Sequence, residues 1–203
     1  MDADAVEIRV LGCLIEKQRT TPDAYPLSLN ALRLACNQST NRDPVVDFDE
    51  RTIRAALERL SNRRWARLAS GAGSRAVKYR HLLDEALALP EPELALLAVL
   101  MLRGPQTSGE LKGRSDRLYS FESLEEVDRT LEELAGRGLV ARLPRRPGQK
   151  EQRYAQLLGG DEAAESEAAA APPEERRDDR VGTLEARVAR LEEEVAALRE
   201  HLG

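Results

Sequence analysis

The side chains of this 203-residue chain best suited to chemistry are cationic and amide groups gathered in a few short stretches. Residues 49–81 read DERTIRAALERLSNRRWARLASGAGSRAVKYRH and carry Arg51, Arg54, Arg75 and Lys78. A later run, PRRPGQKE, supplies Arg145, Arg146 and Lys150. Guanidinium and ammonium groups at such spacing suit phosphate oxygens, so duplex DNA is one candidate partner and these seven residues are the candidate contacts. A different chemistry is offered by NQSTNR, where Asn37, Gln38, Asn41 and Arg42 form a polar ledge. That ledge is either a binding site or a loop that satisfies its own backbone through Asn and Ser side chains.

Catalysis is not suggested. Nucleophile, base and orienting groups do not cluster, so no catalytic, cofactor-binding or metal-ligating residue is assigned and a non-enzymatic chain is expected. Neither GAGSRAVK nor GPQTSGELK has the spacing of a phosphate-binding P-loop. His81 reads as a polar boundary residue. Cys13 and Cys36 are the only cysteines; they read as structural thiols in a reducing cytoplasm rather than as a disulfide or metal site. No apolar run reaches membrane-spanning length and the first ten residues lack a basic start and an apolar core, so neither membrane insertion nor a signal peptide is expected.

Charge is uneven. The net value of −5 divides into +4 over residues 1–80, −2 over 81–158 and −7 over 159–203. The acidic total therefore belongs mostly to the tail and does not exclude nucleic-acid binding by the first part, although no part has the strong basic balance of a general phosphate binder.

The elements that must position these groups follow from apolar spacing. Ile8, Leu11, Leu14 and Ile15 give one broad helical face. Ser28 can cap a short second helix, and Asp47 or Asp49 a third, which runs through Ile53, Ala56, Leu57 and Leu60. The acidic cap and Glu50 suit the helix dipole but oppose phosphate at that helix end. Trp65 to Leu68 and Val77 to Tyr79 then flank a Gly-rich tip: helix, strand, tip, strand, as in the second half of a winged helix. The frame recurs. Leu57, Leu60 and Trp65 correspond to Leu131, Leu134 and Leu139 at an offset of 74, whereas Ala66–Leu68 matches Ala141–Leu143, and Tyr79 matches Tyr154, at 75. The one-residue change is placed in the helix-to-strand turn. In the second copy Ser123 and Glu126 fit a capping box, and the third helix is acidic.

The reading is therefore mainly α with small β-wings (α+β): tandem winged-helix domains over 5–85 and 90–158, a flexible acidic Ala/Pro linker over 159–180, and a short C-terminal coiled-coil helix over 181–202. In that helix Val181, Leu184, Val188, Leu191, Val195, Leu198 and Leu202 alternate spacings of three and four. Val at a with Leu at d favours a parallel homodimer.

The stretch RVLGCLIEKQRTTPDAYPLSLNALRLACNQSTNRDPV, with SRAVKYRH, LRGPQTSGEL and LPRRPGQKEQRY, resembles the signature of a bacterial family known as YceH-like, DUF480 or UPF0502. The resemblance spans roughly residues 5–158. It implies a tandem winged-helix fold and brings no reaction, cofactor or small-molecule substrate. Where the family pattern has Lys-Ser, this chain has Ser39-Thr40 and one positive charge fewer. Two functions follow as expectations: a DNA-binding or transcription-related regulator, or a protein-interaction adaptor that uses the winged-helix surfaces and the dimerising tail.

Overall fold

Asp4 opens the first helix with a reciprocal cap: its carboxylate accepts from the Glu7 N–H at 2.8 Å, and the Glu7 carboxylate accepts from the Asp4 N–H at 3.0 Å. This is α1 (Ala5–Thr20) of a computed structural model that describes residues 3–69, 77–145 and 151–160. After a 3-10 turn at Pro22–Ala24 come β1 (Leu27–Ser28), α2 (Leu29–Cys36) and α3 (Glu50–Asn62). Then follow β2 (Ala66–Leu68), β3 (Lys78–His81) and the short α4 (Leu83–Leu87). The order then recurs as α5 (Glu91–Arg103), β4 (Gln106–Thr107), α6 (Ser108–Ser115), α7 (Leu124–Gly136), β5 (Val140–Leu143) and β6 (Arg153–Gln156). The two antiparallel sheets are ordered β1-β3-β2 and β4-β6-β5, so each half has the same winged-helix-like topology.

The caps are polar side chains at the expected places. Ser28 accepts from the Ala31 N–H, Asp49 from the Thr52 N–H, and Ser123 from the Glu126 N–H. At α7 the reciprocal half of the expected capping box is displaced: Glu126 accepts from the Glu122 N–H and the Tyr119 hydroxyl instead of reaching Ser123. A full box does form at α6, between Thr107 and Glu110.

The helix-to-strand turn is a second shared device, and it corrects the placing of the extra residue. Trp65 N–H donates to Leu60 O and Arg63 N–H to Arg59 O; Leu139 N–H donates to Leu134 O and Arg137 N–H to Glu133 O. Every member of this turn keeps the offset of 74, and so does the strand that follows. Tyr79 faces Leu68, and its counterpart Tyr154 faces Arg142. The additional residue therefore lies between the wing strands, not in the turn. The repeated Ala-Arg-Leu triplets are not structurally equivalent, which their burial confirms: Leu68 is 60% exposed and Leu143 6%.

Both first helices are buried on all sides. Glu7 to Ile15 of α1 and Glu93 to Leu102 of α5 are buried without interruption, because each helix packs on its own unit and on the other. They pack closely at Gly12, where an added Cβ would lie 3.0 Å from the Met101 Cβ and the Leu102 Cγ. One apolar cluster consequently runs through both halves. Asp43 N–H to Leu102 O at 2.9 Å, Ala3 N–H to Leu158 O at 3.0 Å and the Arg19–Glu91 ion pair at 2.7 Å add polar links between them. Trp65 lies in the core, as its spacing predicts, but His81 is fully enclosed rather than at a polar boundary.

Candidate functional site

The C-terminus of α2 leaves backbone carbonyls without helical partners, and arginines meet them. Arg42 Nε donates to Ala35 O at 3.0 Å, and Arg9 Nη1 donates to Cys36 O at 3.2 Å. Arg9 Nη2 also reaches Pro44 O at 2.7 Å, just after the cis Asp43–Pro44 peptide bond. The rest of the Arg42 guanidinium grips Glu16: Nη1 to Oε1 at 3.1 Å and Nη2 to Oε2 at 2.6 Å, with Gln38 Oε1 accepting at 3.0 Å. Asn37 ties the far end of the loop, donating to Phe48 O and accepting from the Phe48 N–H, both at 2.9 Å. Asn41, at φ 61°, accepts from Arg42 through its carbonyl and from Arg103 of α5 through its side chain. All four ledge residues are thus brought together, and each has at least one polar group engaged within the chain.

Charge follows from that geometry. Burial pushes the Glu16 carboxyl up, but the hydrogen bonds and charge of Arg42, with Lys17, outweigh it and hold the group below its ordinary value. For Arg42, burial pulls down while hydrogen bonding to Glu16 pulls up and prevails. Cys13 and Cys36 are buried free thiols beside this network.

The α3 surface is different. Arg59 and Arg63 are drawn to the buried Glu7 at the start of α1, and the Arg63 guanidinium also lies 5.7 Å over the Trp65 ring. Arg137 and Glu93 repeat that pairing in the second half. Arg51 and Arg54, in contrast, are exposed on the first turns of α3 and make no ion pair or hydrogen bond with the described residues. At an offset of 74 their counterparts on α7 are Glu125 and Asp128, and Asp128 accepts from the Ser108 hydroxyl at 2.5 Å. Lys78 is half-buried at the start of β3, opposite Ser28, and Arg145 is exposed just after β5. Arg75, Arg146 and Lys150 lie outside the described residues, as does the heptad Val181, Leu184, Val188, Leu191, Val195, Leu198 and Leu202.

A family model described as "Protein of unknown function, DUF480" matches residues 3–149. The chain belongs to the DUF480 family. Its relatives include a UPF0502 protein of Pelobacter propionicus, 53% identical over 95% of this chain and 91% of the relative. One from Solibacter usitatus is 52% identical over 97% and 92%, and one from Shewanella amazonensis 45% over 96% of each. The motifs that carry the sequence resemblance thus identify the family correctly.

In this DUF480 chain several charged residues around the ledge escape a reading of the sequence. Glu16 and Arg42 are far apart in the chain, and Arg103, Arg114 and Arg117 come from the other half. The basic run KGRSDR is the one local signal pointing toward the last two. Among the described residues, no group of three or more His, Cys, Asp or Glu side chains is placed to hold a metal ion, and no helix is long and apolar enough to cross a membrane.

Proposed function

We propose that this DUF480 chain is a non-catalytic tandem winged-helix protein that binds duplex DNA, with α3 and the two basic wings as its contact elements. The carrying observation is the pair Arg51 and Arg54, exposed and without an ion pair on the helix that would approach the groove, while the equivalent positions of α7 are Glu125 and Asp128. In this reading the first unit contacts the duplex and the acidic α7 stays away from phosphate. Arg75, Lys78, Arg145, Arg146 and Lys150 would fix orientation through backbone phosphates. The heptad tail would pair two chains and so supply two contact units. Fluorescence anisotropy with full-length protein and duplex DNA tests the reading. Salt-dependent binding supports it, and its absence at low ionic strength removes it. Replacing Leu191 and Leu198 with polar residues should lower the solution mass; an unchanged mass discards the dimer.

A second reading, a protein-interaction adaptor, draws on the exposed carboxylates Glu125, Glu132 and Glu133 of α7. Affinity capture with a Glu125→Lys, Glu132→Lys variant tests it, and an unchanged partner set would argue against that face.

A further inference from the structure

Between the two halves lies a groove of about 370 Å³, within the size range of small-molecule sites. Its walls come from the last turn of α1, Gln38 and Asn41 of the ledge with Thr40 between them, the C-terminal end of α5, and α6 with the residues that follow it. Four cationic side chains, Lys17, Arg103, Arg114 and Arg117, line it against a single carboxylate among the lining residues, Glu16. That carboxylate is already held by Arg42 and lies 3.4 Å from the Lys17 ammonium. The arginines are poorly neutralised. Arg114 pairs with Glu110 at 3.2 Å, Arg103 donates to the uncharged Asn41 side chain, and Arg117 makes no ion pair or hydrogen bond with the described residues. Burial pulls the Arg103 guanidinium below its ordinary value, and the neighbouring charges of Arg114 and Arg42 lower it further, against an opposing pull from Glu16 and Asp43. An anion in the groove would relieve that repulsion. Beside the cations, Leu118 offers a half-buried apolar side chain and Thr40 an exposed hydroxyl, while Val99 and Leu102 form the buried floor.

We propose that this groove binds a small phosphate-bearing ligand of nucleotide size, its phosphate held by Arg103, Arg114 and Arg117 and its organic part resting on Leu118. The fork geometry of guanidinium groups suits phosphate oxygens, and several forks lining one groove favour a dianion over a carboxylate. Because the arginines belong to the second half and Lys17 and Thr40 to the first, the bound ligand would bridge the halves. The groove does not include α3, so the proposal stands independently of DNA binding.

The test is isothermal titration of the full-length protein at low ionic strength with inorganic phosphate, pyrophosphate, the four ribonucleoside monophosphates and adenosine. The expected result is saturable binding of pyrophosphate or a monophosphate, and none of adenosine. Arg117→Ala removes one charge-assisted contact and should weaken binding by about tenfold or more. Gly113→Glu places a carboxylate in the groove, where an added Cβ meets nothing within 4 Å, and should abolish binding without disturbing the fold. Arg51→Ala, Arg54→Ala should leave it unchanged. The proposal is overturned if no phosphate-bearing probe binds saturably, if adenosine binds equally well, or if both groove variants retain wild-type affinity. A 5′-phosphorylated duplex that protects Arg117 from modification while no small probe binds would also overturn it.

Discussion

Arg42 and Glu16 meet fork to fork, Nη1 to Oε1 at 3.1 Å and Nη2 to Oε2 at 2.6 Å, with the Arg42 side chain wholly enclosed. This pair joins the ledge to α1. Removing the carboxylate strands a buried cation, so Glu16→Ala should destabilise by about 3–5 kcal/mol. Arg42→Met should cost less, because the remaining carboxylate is partly exposed and keeps Lys17 nearby. Urea unfolding of both variants measures this; a loss below about 1 kcal/mol for Glu16→Ala would mean that the pair is dispensable.

His81 gives a pH signature. Burial pushes its imidazole down to about 4; the Asp84 carboxylate, 3.5 Å from Nδ1, pulls it up, while Arg80 and Arg19 lower it. The group is neutral when folded and ordinarily titrates near 6.5, so the unfolded chain takes up the proton first. Stability is therefore complete above about pH 6.5 and falls as pH drops toward 4, by roughly 3 kcal/mol in total. Chemical denaturation across that window should show the slope, and His81→Gln should flatten it. Glu16 cannot mimic the effect, because the stability its depressed carboxyl contributes is complete above its ordinary 4.5 and is lost only as pH falls below that value.

Arg64 and Gly138 occupy the same turn position in the two halves, at φ 60° and 66°. An L side chain is strained there by roughly 1–2 kcal/mol, and glycine is not. Arg64→Gly should raise stability by about 1 kcal/mol, and Gly138→Ala should lower it by a similar amount. Nothing lies within 4 Å of a Cβ at Gly138, so the loss would report backbone strain alone. Melting temperatures moving the other way would refute the equivalence.

Gly12 sets the distance between α1 and α5. Its added Cβ would sit at 3.0 Å from Met101 and Leu102, so Gly12→Val should overpack the joint and destabilise by about 1–3 kcal/mol. A neutral result in thermal unfolding would show that the two helices can separate freely.

Much of this architecture is legible in the sequence, in proportion to how local its cause is. The third helices announce themselves through apolar spacing and through the caps Asp49 and Ser123. Leu27–Ser28 and Gln106–Thr107 do not, because a two-residue strand has no period, and its residues double as turn and cap. The amphipathic reading of α1 is incomplete for a tertiary reason: α5 covers the side that would otherwise face water. Identical Ala-Arg-Leu triplets misplace the extra residue, since hydrogen-bonded register rather than residue identity defines equivalence. Of the candidate contacts, the ledge is visible as a polar block. Its partners Glu16 and Arg103 are not, because the fold alone brings them near.

In the proposed DNA-bound state the first third helix, not the second, meets the duplex. Anisotropy titrations over a range of salt, comparing wild type with Arg51→Ala, Arg54→Ala and with Arg129→Ala on α7, test it most directly. The first variant should weaken binding and shallow the log–log salt slope by about 2, one for each lost phosphate contact, while the second should change neither. Equal affinities and slopes for all three proteins would contradict it.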